Sequence, residues 1–541
     1  MAAERTLDPA ADSRPTDWNS SDAARAWPWL LTASRFVDLV DARAAATPEA
    51  PMLFEADGTT VTCAEFAERS RRVAAALAAE GLGRGTRVAW QLPTRISTLL
   101  VMAALRRLGA VQAPIIPQYR EREVTAALAG SAAEVFLVPG VWRGTDFVAL
   151  AAQVAAAGGP APRTLVIGAE APEADPVGSP AEAVDDLDEV AWIYFTSGST
   201  GAPKGAQHTD TTLLSTGLGF AGNGELGRTA GEVAAIGFPV AHVGGVEYLI
   251  AMLAGGYPAL VLEAFVPAEA VQLFRRYGVT TTGGAPPFYS ALVAMGRAQP
   301  GEPVLPGLRT LKGGGAPCPP ALFDEVRDVL DAVLAHDYGM TEVPMIAVGR
   351  PSDPADVLAA TDGTVLPSNR VRLVDADGVP VPAGEIGEVQ VTGAGVCHGY
   401  TDPAETAAAF TADGWFRTGD LGRFHPAGPI EVVGRVKDLI IRNAENIAPQ
   451  EIEQVLAGHP AVAEVAVIGL PDPVCGERVC AVVAPVAGHP APDLPTLNAW
   501  LLDAGLMKQK LPEQLETVDA LPRTGLAKVA KAELRRRFTM A

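Results

Sequence analysis

The sequence predicts an α/β protein: a large N-terminal α/β domain of more than one subdomain, followed by a small α+β C-terminal domain. Three observations predict it. A chain of 541 residues exceeds the ~250–300 residues at which a single hydrophobic core stops growing. Helical and strand-like apolar patterns alternate through most of its length, the rhythm of βαβ units. From about Arg435 onward that rhythm gives way to a shorter mixture of helices and strands.

Taken in order, a polar lead runs to about Asn19. Residues 64–80 then place Phe66, Val73 and Leu77 on one helical face, and Gly81 closes the helix. Residues 87–92 read as a strand, as do 190–195, 234–238 and 280–283. The most apolar stretch, 248–262, is shorter than the ~20 residues a membrane-spanning helix needs. It also contains Gly255, Gly256 and Pro258, and it reads as buried core. After a boundary at 435–438 come a helix at 449–456, strands at 464–469 and 479–485, a helix at 494–502 and a final basic helix. The expected division is a large domain over 1–434, a hinge at 435–438 and a small domain over 439–541.

Composition narrows the function classes. With 48% apolar residues and dispersed charge, the chain reads as globular. Arg5, Asp8, Asp12 and Arg14 interrupt the N-terminus where a secretory signal needs an apolar run, so a cytoplasmic location without a stable membrane anchor is expected. The five cysteines form no CxxC pair, which argues against a zinc site or disulfide framework. A net charge of −21 disfavours nucleic acid and anionic lipid as partners. One island runs against the trend: Arg523, Lys528, Lys531, Arg535, Arg536 and Arg537 against Glu533 alone. It suits a phosphorylated small ligand, although a solvated helix face is the commoner reading of such a run.

The segment 194–205, YFTSGSTGAPKG, follows a predicted strand and concentrates Thr196, Ser197, Gly198, Ser199, Thr200, Gly201, Lys204 and Gly205. Glycines admit backbone amides close to an anion, hydroxyls add donors and the lysine adds charge, so the loop suits a polyphosphate. It is not a Walker loop, because Pro203 precedes Lys204 and Gly205 follows it. No G-x-S-x-G elbow is present, and the glycine-rich run near Gly393 lacks the following helix of a dinucleotide fingerprint.

At this loop the sequence resembles the adenylate-forming superfamily of acyl-CoA synthetases, peptide-synthetase adenylation domains and luciferases. Further matches follow in that family's order: GGGAP at 313–317, YGMTE at 338–342, GWFRTGDLG at 414–422, GRVKD at 434–438, ENIAPQEIE at 445–453 and PRTGLAK at 522–528. The resemblance covers nearly the whole chain beyond its first thirty or so residues. It implies the adenylating fold with a mobile C-terminal domain, and two half-reactions: a small carboxylic acid and ATP give an acyl-adenylate, then the acyl group passes to a thiol, that of coenzyme A.

Roles follow residue by residue. The resemblance puts ATP against the 196–201 loop, Lys204, Gly314, Gly315, Ala316, Pro317, Tyr338, Gly339 and Met340. Tyr338 also offers a flat face for adenine, and Asp420 and Arg435 suit ribose hydroxyls, although alone each would be an ordinary turn aspartate or surface arginine. Thr341 and Glu342 offer hard oxygens for phosphate and Mg²⁺, with Glu342 the implied metal ligand. The resemblance makes Lys528 the catalytic lysine, Lys437 the hinge, His242 a residue near the acyl site, and Ala444 and Glu445 part of the CoA tunnel.

Some positions depart from the family. Ala241 stands where an aromatic residue usually precedes the histidine; with Gly283, Gly284, Gly314, Gly315 and Val343 it favours a bulky apolar acid, whether aliphatic, alicyclic or aromatic. Ala444 and Ala527 replace glycines, and an added methyl in a tight tunnel can exclude a ligand or merely shift it. Besides an acyl-CoA ligase, the sequence therefore leaves open an enzyme that loads an acyl carrier protein or stops at the adenylate, and a non-catalytic nucleotide-binding paralogue. It leaves open a monomer or a homodimer.

Overall fold

The computed structural model describes residues 33–176, 188–196, 203–299, 303–442, 445–472, 475–523 and 529–539, with backbone alone at 445 and 446. The N-terminal part is a mixed α/β arrangement of two largely parallel sheets and one antiparallel sheet. The first has six strands in the order Lys204–His208, Trp192–Thr196, Val111–Pro114, Arg87–Trp90, Val135–Val138 and Arg163–Val166. All its pairings are parallel except that of the edge strand Lys204–His208. Its central strands are almost wholly buried, as a parallel sheet covered on both faces requires.

The second sheet has nine strands in the order Thr364–Val365, Val343–Val348, Val333–Met340, Thr310–Gly314, Thr281–Gly283, Ala234–Ile236, Ala259–Val261, Pro51–Phe54 and Thr60–Thr62. The helix expected at 64–80 spans Cys63–Ala79 and buries Phe66, Val73 and Leu77. Thr62 and Glu65 form a reciprocal cap at its start, a local signal that fixes where the helix begins. The apolar stretch at 248–262 runs through the buried helix Val243–Gly255 and the strand Ala259–Val261. Among the described residues no helix is long and apolar enough to cross a membrane.

A four-stranded antiparallel sheet, Asn369–Val374, Gly387–Gly393, Phe416–Phe424 and Ile430–Arg435, follows and shares a small core with the strands Val333–Met340 and Val343–Val348 of the nine-stranded sheet. The sequence reading did not resolve this sheet. The C-terminal part is the expected α+β unit. Its strands Val462–Asp472 and Gly476–Pro485 pair as a long hairpin, extending beyond the segments read from sequence. Separate apolar clusters cover the two faces of that sheet, one built with the helices Pro449–Ala457 and Leu494–Asp503, the other with Lys531–Thr539.

Candidate active site

The chemistry-bearing residues gather at the carboxyl ends of the parallel strands of both sheets, where α/β proteins place their ligands. Strand Val333–Met340 delivers Tyr338, Gly339 and Met340, with Thr341 and Glu342 immediately after it, and its parallel neighbour Thr310–Gly314 delivers the 314–317 turn. Two glycines are required by close backbone approach. A Cβ at Gly314 would lie 1.8 Å from the Asp337 carbonyl, and one at Gly339 would lie 2.0 Å from that of Pro344.

Tyr338 and Arg435 converge on one carboxylate. The Tyr338 hydroxyl donates to Asp420 Oδ2 at 2.8 Å, and Arg435 Nε donates to Oδ1 at 2.7 Å. Asp420 and Arg435 are cross-strand partners in the antiparallel sheet, so backbone register alone brings them together. Burial opposes the Arg435 charge, but Asp420 more than offsets it and holds the guanidinium above its ordinary range. Burial and the adjacent Asp420 raise Tyr338, which stays a phenol.

A second corner surrounds Glu342. Backbone hydrogen bonds lay residues 397–401 alongside the edge strand Lys204–His208: Gln207 donates to Gly399, His398 to Gln207 and Thr401 to Gly205. This pairing places Tyr400 between Lys204 and Glu342. The Tyr400 hydroxyl donates to Glu342 Oε1 at 2.5 Å, and Lys204 Nζ lies 5.4 Å from the centre of the Tyr400 ring. Lys204 also forms an ion pair with Glu405. Burial pushes the Glu342 carboxyl above its ordinary range, and the Tyr400 hydrogen bond opposes that rise. Residues 197–201 of the glycine-rich loop lie outside the described residues; Thr196, at the loop's start, pairs in register with Lys204.

Buried His208 ties this corner together. Its Nε2 lies 2.8 Å from the Thr341 carbonyl, and its Nδ1 lies 3.0 Å from Thr212 Oγ1. Because a carbonyl can only accept, Nε2 carries the proton. Burial lowers this imidazole to about 4, so it is neutral at physiological pH.

His242 caps the helix Val243–Gly255, its Nδ1 accepting the Gly244 amide at 3.1 Å. It lines one cleft with Ile115, Ile116, Tyr194, Phe195 and Thr341, so this cleft joins the carboxyl ends of the two sheets. Two of the glycines read as widening an acyl pocket do not do so. The Tyr248 hydroxyl, which donates to the Lys312 carbonyl at 2.5 Å, fills the space a side chain at Gly283 would occupy, and the Asp337 carbonyl fills that at Gly314. Gly315 does face open space.

Lys437 is exposed on the short 3₁₀ turn Val436–Asp438, between strands Ile430–Arg435 and Ile440–Arg442. Ala444, Ala527 and Lys528 lie outside the described residues, as does the side chain of Glu445. Sequence reasoning missed His208, Tyr400 and Glu405. The partners that bring them into the site, Thr341, Glu342 and Lys204, lie far away in the chain, and only the glycine beside Tyr400 hinted at a constrained turn.

These sheets, and a site at the carboxyl ends of their strands, define an adenylating α/β architecture. The chain belongs to the AMP-binding enzyme family: the family model matches residues 40–401, and that of the AMP-binding enzyme C-terminal domain matches 451–528. It is thus an AMP-forming ligase of the adenylate-forming superfamily. It is 37% identical to a feruloyl-CoA synthase of an Amycolatopsis species over 89% of this chain and 94% of that one. It is 33% identical to the salicyl-AMP ligase / salicyl-S-ArCP synthetase of Mycobacterium tuberculosis over 98% and 91%. Among solved structures, ATP-bound MatB from Rhodopseudomonas palustris superposes with a TM-score of 0.80 at 29% identity, covering 91% of this chain and 96% of that one.

Proposed function

We propose that the protein is an acyl-CoA ligase, converting a carboxylic acid and ATP to an acyl-adenylate and pyrophosphate, then transferring the acyl group to coenzyme A with release of AMP. The observation that carries this reading is the placement of the Tyr338–Asp420–Arg435 contact and the Glu342–Tyr400–Lys204 contact at opposite ends of a single YGMTE segment. Such spacing suits a nucleoside at one end and its phosphates at the other.

In this reading Tyr338 stacks on adenine while Asp420 and Arg435 hold the ribose. Lys204 exchanges its Glu405 partner for phosphate and offsets charge on departing pyrophosphate, together with the 196–201 loop. Glu342 and Thr341 would hold Mg²⁺, which supplies further neutralisation of that charge. The donors fit the ion. The described residues contain no cluster of three or more His, Cys, Asp or Glu side chains able to hold a metal, but Mg²⁺ needs only one or two carboxylates when phosphates complete its shell. Lys528 bridges the attacking carboxylate and the α-phosphate, so positioning and preorganised charge carry the step. Rotation about Lys437 then withdraws Lys528, and the thiol approaches through a tunnel past Ala444 and Glu445, its route shaped by His242.

The side chains that line the narrow cleft beside His242 are mainly apolar, and similarity to a feruloyl-CoA synthase supports an acid with an aromatic body. A second reading, transfer to a carrier protein, is favoured by similarity to the salicyl-S-ArCP synthetase. The deciding experiment incubates the protein with ATP, CoA and a panel of carboxylic acids and weighs the products. A thioester supports the first reading, and adenylate alone supports the second. Tight ATP binding without product from any acid would indicate a non-catalytic nucleotide binder.

A further inference from the structure

Two residues before Tyr338 on the same strand, buried His336 makes two contacts that the mechanism above does not use. Its Nδ1 lies 2.7 Å from Asp362 Oδ1, and its Nε2 lies 3.1 Å from the carbonyl of Ala316, in the turn assigned to the nucleotide. A carboxylate and a carbonyl only accept, whereas a neutral imidazole has a single N–H. Both bonds therefore require the imidazolium. The second oxygen of Asp362 accepts the Val432 amide at 2.7 Å, and the Asp362 amide donates to the Ile430 carbonyl at 2.7 Å. Val432 lies on the strand Ile430–Arg435, three residues before Arg435.

Strands Val333–Met340 and Ile430–Arg435 are thus tied twice, through Tyr338–Asp420–Arg435 and through His336–Asp362–Val432. The charged groups around the second tie balance. Beside His336 and Asp362 stand Asp337 and its partner Lys312, whose Nζ lies 3.3 Å from Asp337 Oδ1, while burial pushes the nearby Cys318 thiol up and keeps it neutral. Loss of one proton from His336 would leave an uncompensated negative charge in this buried set.

We propose that the His336 imidazolium and Asp362 form a positioning couple that fixes the Ala316 turn against the strand bearing Arg435, so that the adenosine site is preformed while His336 carries both protons. The proposal rests on the nucleotide reading of this corner. Burial pulls the His336 imidazole down, but the Asp362 hydrogen bond, with Asp362 and Asp337 charge, holds it above its ordinary range.

The test is calorimetric titration of the full-length protein with AMP from about pH 6 to about pH 9, across and above the ordinary imidazole range. Wild type should bind AMP more weakly as pH rises. His336→Ala should weaken binding about tenfold or more at the acidic end, the effect of one charge-assisted bond, and should flatten the profile. Asp362→Asn should move the midpoint of the profile to lower pH, a displacement that loss of packing alone does not produce. If His336→Ala fails to fold, as judged by circular dichroism, the comparison of wild type with Asp362→Asn decides. A wild-type profile flat across this range, or an unmoved midpoint in Asp362→Asn, overturns the couple while leaving the ligase reading intact. Absence of any AMP binding by wild type overturns both.

Discussion

The Tyr400 hydroxyl donates to Glu342 Oε1 at 2.5 Å across 58 residues of sequence. This bond opposes the rise that burial imposes on the carboxyl. Tyr400→Phe removes the only hydrogen bond from a side chain to that oxygen among the described residues. The Glu342 pKa should then rise further, and the acid limb of ATP–pyrophosphate exchange should move to higher pH by about one unit, the effect of one hydrogen bond to a charged group. An unshifted acid limb in the variant would separate Tyr400 from the metal role proposed for Glu342.

Asp420 accepts from both Tyr338 and Arg435. Replacing it by alanine leaves the Tyr338 hydroxyl buried without that partner and Arg435 without its counter-ion. Because the Arg435 side chain is 44% exposed, solvent tempers the loss, and a destabilisation of about 1–2 kcal/mol is expected. The KM for ATP should rise by about tenfold or more if this carboxylate also holds the ribose. Exchange kinetics together with urea unfolding separate the two effects; an unchanged KM would confine Asp420 to a structural role.

Lys528 stands in the basic terminal segment. Lys528→Ala should lower acid-dependent ATP–pyrophosphate exchange by at least ~10²–10³, the usual effect of removing one preorganised charge. ATP binding measured by calorimetry should persist. Exchange at wild-type rate in the variant would overturn the lysine's catalytic role.

His208 links the edge strand of the six-stranded sheet to Thr341, and its folded pKa of about 4 lies below the ordinary value of 6.5. The unfolded chain therefore binds the proton more readily. The neutral histidine's contribution to stability is complete above about pH 6.5 and is lost as pH falls towards about 4, amounting to about 3 kcal/mol across that window. Urea midpoints should fall with pH in this range, and His208→Gln should be less stable at neutral pH yet show a shallower slope. Equal slopes in the two proteins would show that other groups dominate acid unfolding.

Much of the fold was legible in the sequence because the signals were local. The apolar spacing of Phe66, Val73 and Leu77 and the closing Gly81 define one helix without reference to the rest of the chain. The four-stranded sheet at 369–435 was less legible, because each of its strands reports little until its antiparallel neighbours supply the buried face. In the site, the motif residues Tyr338, Asp420 and Arg435 could be named from sequence, but nothing local indicated that one carboxylate joins them.

The sequence by itself determined the α/β class, the membership of the adenylate-forming superfamily and the residue types available for a nucleotide, since these depend on short-range order and motif succession. Only the tertiary structure decided that Tyr400 meets Glu342, that Glu405 pairs with Lys204, that Tyr248 fills the space beside Gly283, and that His336 reaches both Ala316 and Asp362. These partners lie on strands and turns remote in the chain. Their approach is set by sheet order and register, which follow from burial of the whole core and not from any one segment.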